Sequence, residues 1–290
     1  MLMDRLKCGK KILPCVVLLV AAPLQAVVAW GQARVQLIHP KDGMRHTFDV
    51  ATIKPSPDTA SGLRFQLSPS RFSATHASVY DLIKFAYGIK SEDQLVGVSG
   101  WLKFEYFDIQ AKASDADIAA WDKLEPRERM IVARLPVQSL LEDRFHLKAK
   151  VETRNLPVYA LVVAKGGPKM KEVELSPPGA HRPHIGPSGP NQYTAGAWPM
   201  SQMADWLSFF DEAGNRAVVD ETGLKGYYDF VLNGVSQRFP GPANFNGVEA
   251  QDPLVSIFSA LPDQLGLKLV PEKAPTEVLV IESIEQPSAN

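Results

Sequence analysis

Ser78-Val-Tyr-Asp-Leu-Ile-Lys-Phe-Ala-Tyr-Gly88, followed by Tyr106-Phe-Asp-Ile109, is the pattern that decides the fold, because the chain carries it twice. The first segment places apolar residues at helical spacing, and Ser78 and Gly88 are typical of a helix start and stop. The second segment lies within Phe104 to Ala111, a stretch that we predict to be a strand. The sequence therefore predicts an amphipathic helix followed by a β-strand.

The same helix and strand recur 121 residues later. Val79 through Ile109 align with Met200 through Phe230 without a gap, and an offset of 120 aligns Asp143 through Lys148 with Asp263 through Lys268. Any two α+β halves share hydrophobic periodicity, which accounts for the apolar matches alone. It accounts less well for the charged matches, which are Asp108 with Asp229, Asp143 with Asp263, Lys148 with Lys268 and Glu152 with Glu272. We therefore expect an internal duplication.

The predicted fold class is α+β, with two tandem copies of a helix-strand-helix-strand-strand unit. The first unit spans residues 48–175 and begins with an extra strand at Phe48, and the second spans residues 193–290. Residues 176–192 hold five prolines and three glycines between Pro177 and Pro190, so we expect a Pro/Gly-rich linker without secondary structure. Arg127 to Phe145 is expected to be mostly helical, with Pro136 kinking or splitting the helix. The strand pairs that close the two units are expected at Leu147 to Glu152 with Val158 to Lys165, and at Leu267 to Pro271 with Val278 to Ile284.

The N-terminus has the pattern of a cleaved signal peptide, residues 1–29. Four basic residues precede an apolar run from Ile12 to Ala22, and signal peptidase sites end at Ala29 and, as a later alternative, at Ala33. The apolar run is shorter than the ~20 residues needed to span a bilayer, so no stable membrane anchor is expected after cleavage. We expect an extracytoplasmic protein, either periplasmic or secreted.

Composition and motifs exclude several classes of function. The only cysteines are Cys8 and Cys15, so the mature domain is cysteine-free and has no disulfide. Removal of residues 1–29 leaves 27 basic and 31 acidic residues, which provides no cationic surface for nucleic acid. The hydrolase motifs G-x-S-x-G, S-x-x-K and H-E-x-x-H do not occur. We therefore predict no catalytic residue, no metal site and no cofactor.

Aromatic and acidic residues in or just after two predicted loops are the candidate binding residues. The loops run from Gly97 to Tyr106 and from Val218 to Tyr228, and two copies packed about a pseudo-two-fold axis are expected to bring them to one shared face. Aromatic rings supply much of the energy at protein and glycan interfaces. The candidates are Trp101, Tyr106, Asp108, Asp220, Tyr227, Tyr228 and Asp229. Two alternatives stay open: the rings pack in the core, or the aspartates fix turns through hydrogen bonds to the backbone.

Several segments resemble an uncharacterised family of soil-associated secreted proteins of Solibacter type. They include Phe48-Asp-Val-Ala-Thr-Ile-Lys-Pro-Ser56, Leu140-Leu-Glu-Asp-Arg-Phe145 and Val218-Val-Asp-Glu-Thr-Gly-Leu224, and the resemblance runs from Phe48 to the C-terminus. It implies an exported domain of unknown function with no assigned catalytic residues. We therefore expect a non-catalytic extracytoplasmic domain that binds an unknown protein or glycan. The alternative is an unrecognised secreted hydrolase that acts on envelope or environmental polymers.

Overall fold

The computed structural model describes most of the chain after the predicted signal peptide. The described residues are 34–40, 43, 45–57, 62–68, 70–124, 126–175, 183–189, 191–214, 216–235, 244–245, 248–249 and 254–287. Residues from Ala33 onward form one compact unit. The predicted signal peptide and residues 176–182 of the predicted linker lie outside the described residues. Within the described ranges, no helix has the length and apolar character needed to cross a membrane.

Strands outnumber helices in this α+β fold, whose class agrees with the prediction. The strands are β1 Phe48–Pro55, β2 Arg64–Ser68, β3 Arg71–Ser78, β4 Leu95–Val96, β5 Tyr106–Ala113, β6 Lys148–Val163, β7 Lys171–Val173, β8 His184–Gly189, β9 Gln192–Pro199, β10 Val218–Asp220, β11 Tyr227–Asn233, β12 Asn244–Phe245, β13 Val248–Glu249 and β14 Leu267–Ser283. The helices are α1 Val79–Tyr87, α2 Trp101–Phe104, α3 Asp115–Trp121, α4 Pro126–Val132, α5 Leu135–Arg144, α6 Met200–Leu207 and α7 Ile257–Ala260.

Most of these strands form three four-stranded sheets. The first sheet has the order β1-β5-β3-β2 and the second has the order β7-β11-β9-β8, and neighbouring strands in both are antiparallel. The central sheet has the order β10-β6-β14-β4. Its long strands β6 and β14 pair antiparallel over their whole length, and β10 and β4 add in parallel at the two edges.

Helix α1 begins and ends where the sequence predicts, whereas α2 lies in a segment that was predicted to be a loop. The Ser78 hydroxyl accepts the Asp81 N–H at 3.1 Å at the start of α1, and Gly88 ends the helix with a left-handed φ of 66°. The segment from Arg127 to Phe145, predicted to be a helix that Pro136 kinks or splits, is two helices, α4 and α5. Pro136 lies in the first turn of α5, where its missing N–H costs no helical hydrogen bond.

The two predicted pairs of short strands are wrong, because β6 and β14 are each one continuous strand. The prolines in them do not interrupt the pairing. The N–H of Tyr159 points away from β14, toward the loop before β10, and the N–H of Glu277 points away from β6, toward Val35. Pro157 and Pro275 each lie two residues earlier and have the same orientation. Neither proline therefore removes a hydrogen bond from the central pair.

The first and second sheets correspond in strand order and in the position of a β-bulge. The pairs that flank the bulge repeat at an offset of 121 residues: Ala74 with Ile109 and Ala77 with Phe107 in the first sheet, and Ala195 with Phe230 and Trp198 with Tyr228 in the second. In the central sheet, Asn155 lies opposite Pro275, its own counterpart at the offset of 120. A pseudo-two-fold axis therefore passes through this pair. An internal duplication predicts these correspondences, and descent from one duplicated unit stays a prediction.

Two strands lie outside the units predicted for them, and the predicted alignment of the two halves differs from the structure at one place. Strand β7 falls in the predicted first unit but pairs with β11 of the second sheet. Strand β8 falls in the predicted linker but pairs with β9 at a sheet edge, where Pro187 costs no ladder hydrogen bond. The gapless alignment is wrong at the short parallel strands. Leu95 lies opposite Leu279 and Val218 lies opposite Tyr159, and Tyr159 and Leu279 are counterparts at the offset of 120. Leu95 therefore corresponds to Val218. Leu95 and Val218 are 123 residues apart rather than 121.

Each half of the molecule has its own hydrophobic core, and β14 contributes to both. The first core joins the first sheet, α1 and α5 to Leu279 and Ile281 of β14. The second core joins the second sheet and α6 to Leu161 of β6 and to Leu267 and Leu269 of β14. A small buried cluster near the axis consists of Val35, Val158, Ala217 and Ala274. The two halves are therefore not independent folding units.

Candidate functional site

Asp108 and Asp229 hold equivalent backbone bulges. Asp108 Oδ1 accepts the N–H of His76 at 2.9 Å, and Asp229 Oδ1 accepts the N–H of Ala197 at 2.8 Å. His76 and Ala197 have left-handed φ angles of 50° and 48°, which residues other than glycine rarely adopt. Both carboxylates therefore stabilise strained backbone, although they do so inside strands rather than in the turns expected from the sequence.

Asp220 also has a structural role. Its Oδ1 accepts the Thr222 N–H at 3.0 Å and the Thr222 hydroxyl at 2.7 Å, which closes a turn after β10. Tyr228 is 4% exposed and packs in the second core. Burial, and then the Glu172 carboxylate, raise the pKa of Tyr228. Tyr228 is a core residue, whereas Tyr227 is half-buried at the start of β11.

The two candidate loops do not share a face. The loop from Gly97 to Tyr106 follows β4, the loop from Val218 to Tyr228 begins with β10, and these two strands lie at opposite edges of the central sheet. Along β14, β4 lies at Leu279 and β10 lies at the level of Pro271. From the rise per residue and the spacing between strands, β4 and β10 are roughly 30 Å apart. The expectation of a shared groove is therefore wrong, because the pseudo-two-fold axis places the two loops at diagonally opposite corners of the central sheet.

Trp101 begins α2, a single helical turn that leads into the first sheet. Trp101 is half-buried against the first core, whereas Phe104 at the other end keeps 74% of its surface exposed. Glu105 is extended and connects this helix to β5, which begins at Tyr106. Residues 221–226, which connect the corresponding strands of the second half, contain no helix.

Five residues on the outer face of the first sheet form a cluster named here the His76 site: Lys54, Ser56, His76, Tyr106 and Asp108. Ser56 Oγ lies 3.2 Å from His76 Nδ1, and the imidazole stacks on the Tyr106 ring with centroids 4.1 Å apart and planes 8° apart. Lys54 stands opposite Asp108, and the Ser56 N–H donates to the Tyr106 carbonyl at 2.8 Å. The hydroxyl contact and the ring stack therefore hold the imidazole in one orientation.

The second sheet offers a natural comparison for this cluster. Its corresponding residues are Lys171, Val173, Ala197, Tyr227 and Asp229. The lysine, tyrosine and aspartate are common to both sheets, but valine and alanine replace the serine and histidine. The bulge therefore forms with alanine as well as with histidine. Since the fold does not require the imidazole or the hydroxyl, we take the His76 site as the candidate functional site.

A separate cleft lies elsewhere on the first half, and the described residues show no metal site. A shallow cleft of about 370 Å³ between β1 and α5 shares no residue with the His76 site. Asp143 on its wall pairs with Arg45 at 2.5 Å. In the described part of the chain, no three His, Cys, Asp or Glu side chains are arranged to hold a metal ion. The cleft is lined by Phe48 and by polar and charged residues, but no ring stack or hydroxyl–imidazole contact like that of the His76 site is found among its lining residues.

The model of the family described as "Protein of unknown function (DUF3738)" matches residues 80–284. The chain belongs to the DUF3738 family. No curated protein and no solved structure matches it. The matched range of this DUF3738 protein includes Tyr106 and Asp108, but Ser56 and His76 precede it. Two of the five residues of the His76 site therefore lie within the family's matched region, and the other three, which include Lys54, lie outside it.

Sequence reasoning missed Ser56 and His76. Strand β3 was not predicted, so no element placed His76 beside Tyr106. A usable signal was present, because the offset of 121 continues upstream of Val79 and aligns Phe72-Ser-Ala74 with Tyr193-Thr-Ala195. That extension would have set His76 against Ala197. It would not have shown the contact with Ser56, which depends on the pairing of β1 with β5.

Proposed function

We propose that this DUF3738 protein is an exported, non-catalytic binding domain and that the His76 site contributes to its binding surface. The basic and apolar N-terminal pattern supports export, as does the resemblance to soil-associated secreted proteins. The compact unit begins at Ala33, which is compatible with cleavage after Ala29 or Ala33. The partner is a protein or a glycan of the cell envelope or its surroundings.

The observation that carries this proposal is the difference between the two halves. In the second half the bulge residue is Ala197, which is 3% exposed. In the first half the same bulge presents a half-buried imidazole, stacked on a tyrosine that is 36% exposed. Rigid, partly exposed aromatic residues contribute most at binding surfaces, because little side-chain entropy is lost on binding. A binding role accounts for the Ser56 hydroxyl and the His76 imidazole, which the fold itself does not require.

Retention on the envelope fraction of the producing cells tests the proposal. The double variant Ser56→Val, His76→Ala gives the first half the residues that the second half already has, so we expect its melting temperature to stay within a few degrees of wild type. We expect wild-type protein to be retained and the double variant to bind at least tenfold more weakly, which corresponds to about 1.4 kcal/mol. Equal retention of both proteins would contradict a role for the site.

A matched pair of tyrosine variants controls for nonspecific effects. Tyr106→Leu removes the ring of the His76 site, and Tyr227→Leu removes the corresponding ring of the second sheet. We expect only Tyr106→Leu to weaken retention. Equal losses would mean that the His76 site is not distinguished from its counterpart.

A secreted hydrolase is the second candidate, because Ser56 and His76 have the contact of a nucleophile and its base. Two features oppose it. First, Asp108 accepts a backbone N–H rather than a proton of the imidazole, so it does not orient the imidazole as a base. Second, the Ser56 N–H already donates to the Tyr106 carbonyl and Pro57 has no N–H, so neither residue offers a backbone donor to an oxyanion. A fluorophosphonate probe separates the candidates: we expect no labelling, whereas labelling of Ser56 that His76→Ala abolishes would favour the hydrolase.

A further inference from the structure

We infer that the His76 site binds an uncharged sugar ring of a glycan, with the ring stacked on Tyr106. This inference rests on the proposed binding function and names its ligand class. Three kinds of observation carry it: the exposed aromatic surface, the hydrogen-bonding groups around that surface, and the pairing of the nearby charges.

The aromatic surface is flat, rigid and directed to one side. His76 covers one face of the Tyr106 ring, so the 36% of Tyr106 that stays exposed lies on the other face and the edge. Phe104, two residues before Tyr106, keeps 74% of its surface exposed. Sugar rings present C–H groups on their faces, and these pack against aromatic faces as other apolar groups do. The exposed face of Tyr106 therefore offers an area on which a sugar ring can stack.

The polar groups beside this surface both donate and accept hydrogen bonds. They are the Ser56 hydroxyl, the Tyr106 hydroxyl and the imidazole, whose two nitrogens take opposite roles in its neutral form. Sugar hydroxyls also donate and accept, so each contact can form in either direction. A rim of such groups around an aromatic face matches a ligand that is apolar on its face and rich in hydroxyls on its edge.

The charges close to the site already have opposite or polar neighbours. Lys54 stands opposite Asp108, and the Asp108 carboxylate accepts the His76 N–H. Glu105, between the two exposed rings, accepts hydrogen bonds from the Gln286 amide at 2.6 and 2.8 Å. Asp108 and Glu105 together outnumber the one cation, Lys54, so the site has no net positive charge that would attract a phosphate or an acidic peptide. The charge arrangement therefore favours an uncharged ligand.

A protein partner fits these observations less well. A stable protein interface buries about 800 Å² on each partner, usually around a central anchor. The groups that distinguish the first half from the second are few and contiguous, which suits a sugar better than a broad interface. A protein partner is nevertheless a distinct outcome of the test below.

The test uses the full exported protein and one envelope preparation divided into three portions. One portion is left untreated, one is digested with protease, and one is oxidised with periodate, which cleaves the vicinal diols of sugars. We expect wild-type protein to bind the untreated and the protease-treated portions equally. We expect periodate to reduce binding at least tenfold, to the level of the Ser56→Val, His76→Ala variant on untreated material.

Each other result has a defined meaning. Binding that protease abolishes and periodate spares would overturn the glycan inference and leave the binding function in place, with a protein as partner. Periodate-sensitive binding that the double variant retains would place the glycan at another surface and overturn the assignment to this site. Absence of wild-type binding to untreated material would overturn the proposed function itself.

Discussion

At the scale of single residues, the sequence identified two equivalent aspartates before their role was visible. Asp108 and Asp229 matched at an offset of 121, and each proves to fix a left-handed bulge residue by the same hydrogen bond. The equivalence could be read from the sequence because it depends on local spacing. The role could not, because the bulge arises where separate strands pair, and the chain near Asp108 gives no sign of that pairing.

These two hydrogen bonds should contribute similar amounts to stability. Asp108→Ala and Asp229→Ala each leave a part-buried N–H without its acceptor in strained backbone, so we expect each to lower the free energy of unfolding by about 1–3 kcal/mol. Asn replacements keep an amide oxygen as acceptor and should cost less. Urea denaturation measures both series. Asp49→Ala, at an exposed position of β1, is the control and should change stability by less than ~0.5 kcal/mol.

At the scale of secondary structure elements, helices were more predictable than strands. The cap residues of α1 and the proline of α5 are local signals, and both were read correctly. The prolines of β6 and β14 were read as turns, because the orientation of their missing N–H depends on the pairing partner. The N-terminal segment Arg34 to His39 was also missed as an ordered part of the fold, since its partners lie far along the chain.

The N-terminal segment should stabilise the whole domain. The Glu277 N–H donates to the Val35 carbonyl at 2.9 Å, the Leu37 N–H donates to Glu277 Oε2 at 2.8 Å, and the Gln138 amide donates to the Ile38 carbonyl at 2.8 Å. Val35 is 2% exposed in the cluster near the axis. We expect Val35→Ala to lower the free energy of unfolding by about 1.5–3 kcal/mol in urea denaturation.

An exposed valine provides the control for this prediction. Val50 on β1 keeps 62% of its surface exposed, so Val50→Ala should change stability by less than ~0.5 kcal/mol. Hydrogen exchange supplies a local measurement, because Val35→Ala should speed exchange at Glu277, whose N–H binds the segment. Equal stability of the two valine variants would mean that the N-terminal segment does not contribute to the stability of the domain.

At the scale of the whole molecule, the sequence predicted an α+β fold and two corresponding halves but not how they join. The long strands pair with each other, and β4 and β10 each pair with the long strand of the other half. Each core consequently takes side chains from β14, and the first core is incomplete without Leu279 and Ile281. Such exchanged pairing leaves no local trace in the sequence, because every partner lies in the other half.

The position of the axis leads to a prediction about the first half alone. Asn155 faces its counterpart Pro275, so a second copy of β6 can take the place of β14 in the same register. Two β6 strands would then pair antiparallel, with Asn155 opposite Asn155, Val151 opposite Tyr159 and Ala149 opposite Leu161. These pairs place apolar side chains against one another, as β14 does now. We therefore expect residues 34–165 to fold as a symmetric dimer.

Light scattering with size-exclusion chromatography measures the mass of this fragment, and a cysteine cross-link tests its register. The fragment contains no cysteine, so Asn155→Cys introduces one thiol per chain, next to its symmetry mate and within the 4.4–6.8 Å Cα separation that a disulfide requires. Thr153→Cys is the matched control, because its expected partner is Pro157 rather than another Thr153. We expect Asn155→Cys alone to form a covalent dimer on oxidation. A folded monomer, or equal cross-linking of both variants, would contradict the axis-based register and with it the interpretation of the two halves as copies of one self-pairing unit.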